Sequence, residues 1–129
     1  MKTKTITKEN LPDWDFGDVV IKKFSFADKM RLANMSRTMR VVKDGNKDKV
    51  VIEPNDKLDG YAISLMTMGA GIHSIKDDKN YDYILKPHSH IDEKLNFINR
   101  DEISFSAGEV LLNEIKDFNK EITEEEKKN

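Results

Sequence analysis

From residue 18 onward the apolar side chains fall into short rhythms, and each rhythm predicts an element. Asp18-Val-Val-Ile-Lys-Lys-Phe-Ser-Phe26 is rich in β-branched and aromatic residues and reads as a strand. At Ala27 the spacing changes, and Ala27 to Ser36 predicts a helix. Two β-branched runs between Arg40 and Ile52 flank Asp44-Gly45-Asn46; Gly and Asn tolerate the positive φ of tight turns, so the stretch predicts a hairpin. Pro54 and Asn55-Asp56 punctuate it. Leu58, Tyr61, Ala62, Leu65 and Met68 then recur at three- and four-residue spacing, a helical stripe over Lys57 to Met68 that Gly69-Ala-Gly71 ends.

The second half is read in the same way. A polar loop covers Lys76 to Tyr83, and Pro87 closes the short apolar stretch Ile84-Leu85. Ser89 is placed to cap a helix carrying Ile91, Leu95 and Ile98 on one face. Ser106 and Glu109 have capping-box spacing and open a helix whose stripe is Val110, Leu111, Ile115 and Phe118. Residues 1 to 16 have no periodicity and predict a flexible arm, ordered where Trp14 and Phe16 find a surface. Residues 120 to 129 read as a charged tail. Between them, 17 to 119 predicts a single α+β domain, with a small N-terminal antiparallel sheet or hairpin and a mainly helical C-terminal half.

Composition narrows the function more than the fold. A chain of 129 residues, 37% hydrophobic and 36% charged, holds one modest core under a heavily charged surface. Cysteine is absent, which excludes disulfides and thiolate metal sites and favours a reducing cytoplasm. The N-terminus lacks the apolar stretch of a secretion signal, and no run of about 18 apolar residues spans a bilayer. Residues 1 to 49 hold 12 Lys/Arg against 7 Asp/Glu and residues 50 to 129 hold 10 against 17, so the halves carry +5 and −7. Such a dipolar chain can self-associate head to tail or grip a charged partner, but two differently solvated surfaces account for it more simply, and a pI near 5.9 argues against a nucleic-acid binder.

Candidate chemistry is sparse. Pro87-His-Ser-His-Ile-Asp92 offers His88, His90 and Asp92, with His73 as a distant fourth metal ligand, but His90 and Asp92 in the first turn of a helix point to different sides. A polar helix start with exposed His accounts for them better than a metal site does. Gly69-Ala-Gly71 lacks the third Gly of a dinucleotide loop, and no phosphate-loop or nucleophile-elbow motif occurs. The basic residues Lys22, Lys23, Lys29, Arg31, Arg37, Arg40 and Lys43 alternate with apolar ones as solvated faces do. Met30, Met35 and Met39, with Met66 and Met68, form two clusters of a side chain that adapts to varied partners or fills a small core. No enzyme and no cofactor is implied.

Two stretches carry a resemblance, Asp18 to Ala33 and Ser106 to Asn119, together with the acidic-then-Lys-Lys-Asn ending Thr123 to Asn129. In these and in its layout the chain resembles the tail assembly chaperones of long-tailed bacteriophages, whose short form is made in the main frame and whose long form arises by ribosomal frameshifting. Lys127-Lys128-Asn129 is a peptide that slippery A-rich codons encode. The resemblance implies a non-enzymatic protein of the host cytoplasm that binds the helix-rich tape-measure protein and helps bring tail-tube subunits to it. On that reading Val110, Leu111, Ile115 and Phe118 are either core or a binding stripe, with Met30 and Met35 as further contacts. The alternatives are a structural virion component, such as a tail-tube, terminator or connector subunit, and a small metal-dependent enzyme using His88 and His90.

Overall fold

The computed structural model describes residues 2–35, 37–54, 60–100 and 103–128. The fold is α+β, with a small antiparallel sheet drawn mostly from the N-terminal half and helices in the C-terminal half. In chain order the elements are β1 (Thr3–Ile6), a 3-10 turn (Lys8–Asn10), β2 (Val19–Lys22), α1 (Phe26–Met35), β3 (Arg37–Asp44), β4 (Lys47–Pro54), α2 (Gly60–Gly71), β5 (Ile72–Lys76), β6 (Tyr83–Leu85), α3 (Ile91–Ile98) and α4 (Phe105–Lys128). The main sheet has the order β1-β2-β5-β6 and is antiparallel throughout.

The predicted strand and helix at 18–36 are β2 and α1. The predicted hairpin is β3 and β4, paired in register from Arg37↔Pro54 to Asp44↔Lys47. Gly45 opens its two-residue loop with φ +68, the sign that a II′ turn requires at that place. This ribbon is a separate two-stranded sheet and touches the body through α1. Leu58, which opens the stripe expected from Lys57, lies outside the described residues.

The N-terminal arm is corrected. Thr3–Ile6 pairs along β2, from Thr3↔Lys22 to Ile6↔Val19, and Ile6 and Leu11 are buried in the core. Of the four residues in this edge strand only Ile6 is buried, so no alternation marks it in the sequence. Trp14 and Phe16 do find a surface: Trp14 Nε1 donates to the Gly17 carbonyl at 2.8 Å, and Phe16 lies 5.1 Å, centroid to centroid, from both Trp14 and Phe97. In the charged tail the backbone continues α4 as helix to Lys128. Glu and Lys, which fill that stretch, are strong helix formers.

Val19 and Ile21 on β2, with Ile72 and Ile75 on β5, are closed over by Met68 of α2, Phe97 and Ile98 of α3, and Leu111 and Ile115 of α4. The glycines predicted to stop α2 lie inside its last turn. A Cβ on Gly69 would stand 2.9 Å from Leu95 Cδ2, and one on Gly71 would collide with Ile115, so these residues let α3 and α4 approach closely. No connecting residue separates α2 from β5.

Two caps differ from those predicted. His90, not Ser89, is the N-cap of α3, its Nδ1 accepting from Asp92 N at 3.2 Å. Ser104, not Ser106, caps α4, its Oγ accepting from Ala107 N at 3.1 Å while donating to the Pro12 carbonyl at 2.9 Å. The second bond ties the helix start to the N-terminal segment.

Candidate functional site

Helix α4 carries two stripes. Ala107, Leu111 and Ile115 are fully buried and belong to the core, with Val110 and Phe118 packed against it. The choice between core and binding stripe left open by the sequence therefore falls on the core for Leu111 and Ile115. Phe118 is engaged too: the Lys23 ammonium sits 4.0 Å from its ring centroid and donates to its carbonyl oxygen.

The other stripe is Phe105, Gly108, Glu109 and Leu112, at the i, i+3, i+4, i+7 spacing of one helix face. It lines an open groove of ≈ 350 Å³, completed by Ser64, Leu65 and Met68 of α2 and by Ile98 and Ile103. Phe105 stands at the rim, 80% exposed. A Cβ on Gly108 would meet nothing within 4 Å, so the missing side chain leaves the floor of the groove open. The lining includes neither Met30 nor Met35; Met30 is exposed on α1 one turn from Phe26, and Met35 is half-buried. The signal missed in the sequence was the seven-residue interval from Phe105 to Leu112, obscured by the apolar stripe beside it.

A polar cluster lies elsewhere in the molecule. Asp28 in the first turn of α1 accepts from Lys22 Nζ at 2.8 Å, from Ser25 N at 3.0 Å and from Arg31 at 3.3 Å. Burial alone would raise its carboxyl; the Lys22 and Ser25 hydrogen bonds outweigh that and hold it below the usual carboxylate range. Next to this group is His73. The β2–β5 register steps from Val20↔Ser74 to Ile21↔Ile72, which makes His73 the extra residue of a β-bulge. Its Nδ1 is 3.2 Å from Ser74 Oγ, and its ring stands 5.4 Å from that of His88. Burial, then the charges of His88, Lys94 and Lys22, push the His73 imidazole below the usual histidine range.

That shift has a consequence for stability. Between the lowered folded value of His73 and the ordinary ≈ 6.5, the unfolded chain binds the proton more tightly, so stability is fully present above that window and is lost as pH falls through it. Urea denaturation at pH 7.5 and pH 5.5 should show the acid loss, and His73→Asn should flatten it; an unchanged slope in the variant would assign the loss to another group.

His90 is committed to its cap and to a 3.4 Å contact with Asp92, while His88 faces His73. Among the described residues, no group of three or more His, Cys, Asp or Glu is placed to hold a metal ion. Nor, among them, is any helix long and apolar enough to cross a membrane. No protein-family model, no curated protein and no solved structure matches the chain.

Proposed function

We propose that this chain is a phage tail assembly chaperone that binds the tape-measure protein in the host cytoplasm and helps recruit tail-tube subunits to it. The observation that carries the reading is the apolar groove between α2 and α4, rimmed by Phe105. A tape-measure chain exposes apolar helix faces before the tube encloses it, and a groove with aromatic and aliphatic walls takes one such face. Glu109 in the lining favours segments that flank their apolar face with Lys or Arg. Several copies along one long chain gain avidity from weak single contacts, which suits a coat that must later leave.

Two substitutions in the groove test the reading without touching the core. Phe105→Glu removes the rim aromatic, and Gly108→Leu fills the open floor. Both should leave stability within about 1 kcal/mol, Gly108→Leu with a gain in helix propensity. Each should weaken capture of the co-expressed tape-measure protein at least about tenfold, the loss typical of a central contact. Undiminished capture by both variants, or the chain present in stoichiometric amount in finished virions, would overturn the proposal.

A further inference from the structure

A strand at the edge of a sheet presents a row of unpaired amides and carbonyls, and proteins keep such edges short, bent or covered. The main sheet does so. Its edge strand β1 has four residues, and β6 has three with a break in register, where the Tyr83 amide donates to Asp82 Oδ1 at 2.8 Å. The ribbon is different. β4 runs for eight residues, and among the described residues β3 is the one strand paired with it. Two strands alone are marginal in water, and further strands are the ordinary remedy.

Geometry restricts how two β4 edges can meet. Asp44↔Lys47 closes a two-residue loop and so exchanges both backbone hydrogen bonds; alternation along the ladder then turns the amides and carbonyls of Lys49, Val51 and Glu53 toward β3 and those of Asp48, Val50 and Ile52 outward. Two copies related by a twofold axis therefore pair antiparallel only in registers centred on a residue. Registers centred between residues, among them the one that opposes Asp48 to Glu53, bring an outward group to an inward one. Of those allowed, the register centred on Val51 sets Val50 opposite Ile52 and Lys49 opposite Glu53, each twice. A centre on Val50 sets Asp48 against Ile52 and Lys49 against Val51. The outer edge of β3 offers no equal: the register that pairs Arg40 with Asp44 sets Val41 against Lys43.

We infer that the β4 edge binds a second copy of this chain, strand against antiparallel strand about Val51, to make a four-stranded sheet of order β3-β4-β4-β3. Backbone hydrogen bonds supply the attraction, as in other strand additions, and the two Lys49–Glu53 oppositions fix the register. Lys49 is exposed and free to meet the second copy. Pro54, which has no amide to donate, falls at the end of the pairing, where an edge strand tolerates it. The contact uses the same patch on both copies, so it closes at two and does not propagate. No residue of the ribbon lines the groove, and the inference does not depend on what the groove binds.

The test is sedimentation velocity of the full chain at about 100 μM, for wild type, Lys49→Glu, Glu53→Lys and an equimolar mixture of the two variants. Within the ribbon Lys49 stands opposite Val42 and Glu53 opposite Thr38, so neither reversal breaks a charge pair directly across the ladder. Wild type should sediment as a dimer. Each reversal puts like charges opposite each other twice and should weaken the dimer at least about tenfold. The mixture should restore it, because one copy of each variant brings opposite charges together at both places. A monomeric wild type, single variants that dimerise undiminished, or a mixture that stays monomeric would overturn the inference.

Discussion

Leu111→Asp or Ile115→Asp is expected to unfold the protein outright. Both side chains are 0% exposed and belong to the core cluster that also holds Val19, Ile21, Ile72, Ile75 and Met68. Truncating such a leucine to alanine costs about 3–5 kcal/mol, and an aspartate adds the penalty of a charge with no partner, so the total rivals the ~5–15 kcal/mol that a whole domain has. Circular dichroism of purified Leu111→Asp should show a chain without a cooperative transition. A variant that melts cooperatively within about 2 kcal/mol of wild type would mean that α4 is not seated on the sheet as described. Loss of partner binding in these variants would therefore report unfolding and say nothing about the tape-measure protein, which is why Phe105 and Gly108 are the positions to change.

The second large effect is expected at Gly17. Its N–H donates to the Lys76 carbonyl at 2.8 Å and its carbonyl accepts from Trp14, while Asn80 Oδ1 accepts from the next amide, Asp18 N, at 2.9 Å. A Cβ there would collide with the Asp77 carbonyl and with Asn80. A carbonyl fixed in a turn cannot rotate away as a side chain can, so Gly17→Ala should cost about 3 kcal/mol or more. Gly45→Ala is the control, since its Cβ meets nothing within 4 Å and only the φ of +68 opposes it; about 1 kcal/mol is expected. Equal losses in urea denaturation would show that conformation, not the close approach of the 77–80 turn, sets the requirement at Gly17.

The sequence made legible the elements that local chemistry determines alone. β2 and α1 stand out because the spacing changes at Ala27, one residue inside the helix, and the β3–β4 hairpin because Gly45 sits between two β-branched runs. β1 and β5 were not legible, for different reasons. β1 buries one residue at a sheet edge, and β5 breaks the alternation of Ile72, Ser74 and Ile75 with the bulge at His73. Both need a neighbour to define them. The caps differ for a related reason: the capping-box spacing that points to Ser106 is local, while the bond from Ser104 to Pro12 spans the chain.

The direct junction of α2 and β5 ties two distant places to one rigid lever. Leu65 and Met68 line the groove, Gly71 closes the helix against Ile115, and His73 follows two residues later in the bulge. With no loop to absorb displacement, a tilt of α2 moves the backbone on which His73 is mounted. The wall of the groove and the start of β5 are therefore positioned by one stretch of backbone, and a substitution that shifts α2 is felt at both.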